Sequence, residues 1–170
     1  MSSHKNVNNI YNDGMYEFLN NNFEQSIKIL SEAAELDPDR KLTFLSRGSA
    51  YLKLNRLEEA LDDFNHAIDI DPDYARAFHL RGLVEVKQAA DARALEDLTR
   101  AIEIDPEYGA AYHSRATLLT KMGREDLAVE DIAMVQHLVN VNIETFANEN
   151  NIWRSQHLKL ESIMDGEMGR

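Results

Sequence analysis

Apolar residues along the chain fall into paired stripes with helical spacing. In residues 41–74, one stripe occupies 44–52 and a second occupies 57–68, and each places apolar side chains three or four residues apart. Asn55 and Arg56 interrupt the pattern between the stripes, and Asn is typical of the turn that follows a helix C-terminus. The pattern therefore predicts two antiparallel helices joined by a short turn.

The predicted helix pair recurs with a fixed period. All three prolines of the chain follow an aspartate, at Asp37-Pro38, Asp71-Pro72 and Asp105-Pro106, and successive prolines are 34 residues apart. Because the residue before a proline avoids the α conformation, each Asp-Pro should end the second helix of a pair. A fixed period of this size predicts copies of one supersecondary unit that bury their apolar faces against one another.

Aligning the prolines divides the chain into four units, 7–40, 41–74, 75–108 and 109–140. Numbering each unit from its first residue, position 8 is small in every copy, and so are position 20 and, apart from one valine, position 27. Position 24 is always large and apolar. The residues at position 8 are Gly14, Gly48, Gly82 and Ala116, and those at position 24 are Leu30, Phe64, Leu98 and Ile132.

These positions, with Tyr51 at position 11 and the prolines at position 32, resemble the tetratricopeptide repeat family. The resemblance covers about residues 7–140 and implies an all-α, right-handed α-solenoid of four helix-turn-helix repeats. The fourth unit departs most from the pattern, since it has Ala116 at position 8, Leu119 at position 11 and Asn140 in place of the proline. A sharp end to its second helix is therefore not expected.

A charged pair recurs within three of the four units. An arginine stands at position 7 and an aspartate 16 residues later, and the first unit lacks both members. Their joint presence and joint absence predict a structural salt bridge between the two helices of a repeat, although independent solvated charges remain the alternative. The predicted pairs are Arg47 with Asp63, Arg81 with Asp97 and Arg115 with Asp131.

The resemblance also implies a binding site, because the first helices of such repeats line a concave groove that binds peptides. Leu45 and Leu83 are expected to face outward into this groove, above an apolar floor, with lysines along one side. The expected groove residues are Tyr11, Met15, Leu45, Ser49, Lys53, Arg76, His79, Leu83, Lys87, His113 and Lys121.

This groove suggests a partner protein or peptide that is apolar with acidic flanks, bound by an adaptor or assembly factor. Apolar anchors would supply most of the affinity and the lysines the orientation. Some relatives in the family clamp the C-terminal carboxylate of a chaperone, but only Arg76 fits the corresponding positions. A clamp of that type is therefore not expected.

Composition and motifs narrow the function further. The net charge of −12 argues against binding to nucleic acid or to an anionic membrane surface. The chain has no Cys, no catalytic or phosphate-binding motif and no apolar leader, which favours a cytoplasmic protein that is not an enzyme and has no cofactor. His79 and His113 share one repeat position, but no acidic residue recurs beside them, so a metal site is not expected.

The last part of the chain carries a prediction with two alternatives. Residues 141–165 contain Phe146 and Trp153 at repeat positions that favour aromatic residues. We interpret 143–164 as a helix that caps the apolar end of the stack, or alternatively as a helix through which a structural protein self-associates as a homodimer. Residues 1–6 and the 166–170 tail are expected to fray.

Overall fold

A computed structural model of the protein describes residues 6–149, and this part of the chain contains eight α-helices and no strand. The helices form four successive pairs, which confirms the predicted all-α solenoid of helix-turn-helix repeats. Their bounds are α1 Val7–Leu19, α2 Phe23–Leu36, α3 Lys41–Lys53, α4 Leu57–Ile70, α5 Ala75–Lys87, α6 Asp91–Ile104, α7 Gly109–Lys121 and α8 Glu125–Glu149.

The helices stack in chain order. Each helix packs against the one before and the one after it, and each odd-numbered helix also touches the next odd-numbered helix. The odd-numbered helices α1, α3, α5 and α7 therefore lie side by side along one face of the stack, where a concave groove is expected.

Turn chemistry accounts for the sharp reversal inside each pair. One residue per turn adopts the left-handed conformation, with φ between 58° and 74°, and these residues are again 34 positions apart: Asn21, Asn55, Ala89 and Gly123. Between pairs, the aspartate before each proline ends the helix. The carboxylates of Asp71 and Asp105 each accept a hydrogen bond from the backbone N–H two residues later, at 3.1 and 3.0 Å.

The core explains why position 8 is small. Leu30, Phe64 and Leu98 at position 24 are fully buried and lie directly against the glycine of the same repeat. A Cβ atom added to Gly48 would lie 2.7 Å from Phe64 Cε1, closer than real Cβ contacts allow. The absence of a side chain thus lets the two helices of a pair approach closely.

The fourth pair ends differently from the other three. Helix α8 has 25 residues, whereas the other second helices have 14, and it continues through Asn140 to Glu149. The expected boundary between 140 and 141 is therefore wrong, because without a proline nothing ends the helix there. Residues 143–149 continue α8 instead of starting a new helix, while the rest of the predicted 141–165 segment, with Trp153, lies outside the described residues.

Candidate functional site

The groove side of the first two repeats contains a small cavity of about 110 Å³. It lies between α1 and α3, and α5 contributes a cation to its lining. Most of the lining is apolar, with three hydroxyl groups and one guanidinium group. The residues are Tyr11, Met15, Phe18, Leu42, Leu45, Ser46, Ser49 and Arg76.

Hydrogen bonds fix the walls of this cavity. The hydroxyl groups of Tyr11 and Ser46 lie 3.2 Å apart and join α1 to α3. The guanidinium carbon of Arg40 lies 4.3 Å from the centre of the Tyr11 ring, a cation–π contact that supports the ring from one side. Ser49 Oγ donates to the carbonyl of Leu45 at 2.7 Å. The lining is therefore largely preorganised.

Arg76 supplies the positive charge of the cavity. It is exposed, and among the described side chains no carboxylate pairs with it. Its charge also acts on the neighbouring phenol groups of Tyr74 and Tyr108. Burial raises the pKa of both phenols, and the Arg76 cation opposes that rise. A carboxylate that entered the groove here would meet an available guanidinium group.

The structure corrects two of the predicted groove residues. Leu45 does not face outward, because its side chain is only 3% exposed and belongs to the core cluster of the second repeat. Its side chain forms part of the floor of the cavity. His79 is also buried instead of lining the groove, because repeat position 5 lies against the next pair of helices.

His79 links α5 to α7. Its Nδ1 lies 2.9 Å from the hydroxyl of Tyr108, and its Nε2 lies 2.9 Å from Ser114 Oγ. Burial, and then the nearby Arg76 cation, lower the pKa of His79 to about 4. Both ring nitrogens are thus engaged by hydroxyl groups of the fourth unit and its entry turn, and the neutral ring serves packing between repeats.

The remaining predicted groove residues are spread along α3, α5 and α7. Leu83 is half-buried, while Lys53, Lys87, His113 and Lys121 are exposed. Lys121 is neutralised by an ion pair with Asp91 at 2.7 Å. The structure thus gathers five of the eleven predicted residues around one cavity and leaves the lysines farther along the same set of helices.

The predicted Arg–Asp pairs have the geometry of two parallel hydrogen bonds. Arg81 Nε and Nη2 donate to the two carboxylate oxygens of Asp97 at 2.6 and 2.7 Å, and Arg47 and Arg115 contact Asp63 and Asp131 in the same way. The aspartates are buried. Burial raises the pKa of Asp63, and the hydrogen bond from Arg47 opposes that shift.

Each of these arginines has a further partner that sequence reasoning missed. The remaining guanidinium nitrogen, Nη1, donates to a polar side chain of the preceding repeat: Ser31 at 3.0 Å from Arg47, Asn65 at 2.8 Å from Arg81 and Thr99 at 3.2 Å from Arg115. The signal was present, because these polar residues also recur every 34 positions. The pairs therefore join repeats as well as the two helices of one repeat.

Glu85 was also missed. It occupies the repeat position that Tyr51 holds in the second unit, and it is buried beside Asp97. Its Oε1 lies 3.5 Å from Arg93 Nε, whereas no group donates a hydrogen bond to the buried Oε2; the side chain can hydrogen-bond the Asp97 carboxylate only when one of the two carries a proton. Burial, and then the negative charge of Asp97, raise the pKa of Glu85 to about 7.

Two properties of the described residues 6–149 bear on metal binding and on membranes. No group of three or more His, Asp or Glu side chains there could hold a metal ion. None of the helices in that range combines the length and apolar character that crossing a bilayer requires.

Comparisons with known proteins agree with this architecture. A family model for the TPR repeat matches residues 48–88, whereas the comparison with curated protein sequences found no match. A crystal structure of MamA is similar with a TM-score of 0.76 at 22% identity, and the alignment covers 84% of this chain and 83% of that one.

Two solved repeat domains are also similar. The first TPR of Spaghetti (RPAP3), bound to the HSP90 peptide SRMEEVD, has a TM-score of 0.67 at 21% identity, with 72% of this chain and 97% of that chain covered. The Arabidopsis OM64 TPR domain has a TM-score of 0.66 at 19% identity, with coverages of 68% and 95%. Together with the four stacked helix pairs, these findings show that the chain has the helical-repeat fold of the solved TPR domains, and residues 48–88 match the TPR repeat itself.

Proposed function

We propose that the groove binds an extended peptide segment of a partner protein, with one apolar side chain in the cavity and an acidic residue beside Arg76. The observation that carries the proposal is the cavity itself, which combines an apolar lining with a cation that no described carboxylate neutralises. The protein then acts as an adaptor or assembly factor without chemistry of its own.

The size of the cavity favours a side chain over a small molecule. Its volume of about 110 Å³ is well below the roughly 300–1,000 Å³ of typical small-molecule sites. A single aliphatic or Met side chain is the natural occupant. The backbone of the bound segment then runs along the odd-numbered helices, past the half-buried Leu83.

Electrostatics favour acidic residues next to that side chain. The molecule has a net charge of −12, yet Arg76, Lys53 and Lys87 are all exposed on the odd-numbered helices. Such a local reversal of charge steers acidic segments to the groove and orients them. The peptide bound to the RPAP3 domain, SRMEEVD, also places an apolar residue next to acidic ones and supports this class of partner.

Peptide binding can be tested by fluorescence anisotropy. The probe is a labelled ten-residue peptide with a central Met, Glu residues on both sides and an amidated C-terminus. We expect the wild type to bind it, and we expect Met15→Glu and Arg76→Glu each to weaken binding by about tenfold or more, which corresponds to about 1.4 kcal/mol. Both side chains line the cavity, and Arg76 is exposed, so its variant should keep the fold.

The matched control is Arg100→Glu, which makes the same charge change at an exposed arginine of α6, away from the cavity. Its affinity should equal that of the wild type. A second probe with Lys in place of Glu should bind more weakly. If both probes bind alike, or if the cavity variants bind as well as the Arg100 variant, the groove is not the site.

A further inference from the structure

The last repeat leaves uncovered a position that the other three bury. Position 24 is fully buried in the first three repeats, as Leu30, Phe64 and Leu98, but Ile132 is 57% exposed. Val129, one turn earlier on α8, is 64% exposed. In the inner repeats the next helix pair covers this side, so α8 presents an apolar face at the end of the stack.

The residue at position 8 reinforces this arrangement. The first three repeats need glycine there, because an added Cβ atom would lie 2.7 to 3.2 Å from the side chain at position 24. The fourth repeat has Ala116 instead, and its side chain is buried. A methyl group at position 8 leaves less room beside it for the side chain at position 24 than glycine does, and Ile132 is exposed.

The exposed residues form a seam with the spacing of a coiled coil. Along α8, positions 129, 132, 136 and 139 are separated by three and four residues in alternation, and they hold Val, Ile, Gln and Val. The same spacing continues in the sequence to Ile143 and Phe146. An alternation of three and four is the spacing that helices use to pack along one another over several turns.

The charges of α8 avoid this seam. The acidic residues between 125 and 149 are at positions 125, 126, 130, 131, 144 and 149, and none of them is a seam residue. The exposed neighbours Ala133 and Asn140 are uncharged as well. On a chain with a net charge of −12, this strip is where a second acidic molecule can approach with little repulsion.

We propose that the seam of α8, Val129, Ile132, Gln136 and Val139, pairs with the same seam of a second copy of this chain. The interface is isologous, which means that both copies contribute the same residues and that the seam of one copy packs against the identical seam of the other. Gln136 contributes a polar position within the seam, which in paired helices fixes the register at some cost in stability. This pairing is independent of peptide binding in the groove.

The length of the pattern favours a second copy over the chain's own last residues. Among the 21 residues that follow Glu149, the same alternation falls on the apolar residues Trp153, Leu160 and Met164 and, between them, on Asn150, His157 and Glu167. The apolar residues among them repeat the spacing of the seam, and they do not form a second pattern that would match the seam from outside. A partner that matches the seam along its whole length is another copy of the same chain.

Sedimentation equilibrium of the full chain tests the proposal. The wild type should be a dimer that dissociates on dilution. Replacing Ile132 and Val139 together by Glu should raise the dimer dissociation constant by about a hundredfold or more, because the charges would be buried at the interface. Both side chains are exposed in the single chain, so the helix content measured by circular dichroism should not change.

The matched control replaces Met134 and Val141 together by Glu. These side chains are exposed apolar residues of the same helix but lie off the seam, and this variant should remain a dimer. A wild type that stays monomeric up to about 100 µM overturns the proposal. If it is monomeric and the seam variant also shifts the fluorescence of Trp153, the chain's own last residues cover the seam. Equal dimerisation of both variants also overturns it.

Discussion

At the scale of single residues, Glu85 is the feature that departs most from the repeat. A carboxyl group stands where the second repeat has an aromatic ring, and one of its oxygens is buried beside the carboxylate of Asp97 with no donor to satisfy it. Its pKa, raised to about 7 from the usual 4.5, means that the folded chain holds a proton that the unfolded chain releases. Ionisation of this residue should therefore make stability depend on pH.

The free energy of unfolding should rise as the pH is lowered from 8 to 5, because folding takes up a proton between the two pKa values of Glu85. Above pH 7 both states are ionised, and the fold carries the full cost of the buried carboxylate. Glu85→Gln removes this cost. At pH 8 the variant should be more stable by about 1 to 3 kcal/mol, measured by urea unfolding.

The comparison between wild type and variant must be made at each pH, because His79 has the opposite effect. Its pKa is lowered to about 4 in the fold, so stability is lost as the pH falls from about 6.5 towards 4. The difference between wild type and Glu85→Gln isolates the glutamate. A difference that stays constant from pH 5 to 8 would contradict the assignment.

Residue spacing predicted part of the ion-pair network and missed the rest. The separation of 16 residues pairs each arginine with its aspartate within a repeat, and the structure has those contacts. The third contact, such as that between Arg47 and Ser31, crosses to the preceding repeat. It depends on how the repeats stack, which a spacing within one unit does not specify.

At the scale of elements, the turns inside the pairs differ in sequence but share one conformation. Asn21, Asn55 and Gly123 suit the left-handed region, whereas Ala89 adopts it with φ of 58°. A Cβ atom in this conformation costs about 1 to 2 kcal/mol. The helical geometry on both sides of the turn holds Ala89 in place despite this cost.

Ala89→Gly should therefore stabilise the protein by about 0.5 to 1 kcal/mol, after allowing for the greater freedom of glycine in the unfolded chain. Thermal or urea unfolding measures the change. Ala89 is exposed, so little packing is lost. Ala92→Gly, at an exposed position in the first turn of α6, is the control and should destabilise by up to about 0.5 kcal/mol, less than at a position inside a helix. A loss of stability in both variants would contradict the turn argument.

The helix pairs were predictable because apolar period, turn residues and Asp-Pro all mark the same boundaries. For the last helix, Asn140 in place of the proline predicted only that no sharp end occurs there, and the structure shows α8 continuing to Glu149. The sequence predicted which helices line the groove, but it did not predict which side chains of those helices face into it. Leu45 and His79 sit on the expected helices, yet contacts with neighbouring helices bury both.

At the scale of the whole molecule, repulsion between like charges opposes the contacts that hold the repeats in a stack. Thirty acidic residues against eighteen basic ones give the chain a net charge of −12. Within the described residues 6–149, each repeat contacts only its neighbours. The three buried Arg–Asp pairs and the apolar core clusters between the helices hold adjacent repeats together. Repulsion between exposed carboxylates acts over the longer distances and is the part that salt screens.

Added salt should therefore raise the stability at neutral pH. Between about 0.05 and 0.5 M NaCl, the free energy of unfolding in urea should increase by roughly 1 kcal/mol, because screening relieves self-repulsion more than it weakens the buried pairs. The control is the same titration near pH 4.9, the isoelectric point of the sequence, where the increase should be much smaller. If salt also strengthens the pairing of two copies, the rise in the free energy of unfolding will depend on protein concentration. A fall in stability with salt at neutral pH would mean that surface ion pairs, such as that of Arg56 with Glu59, outweigh the net charge.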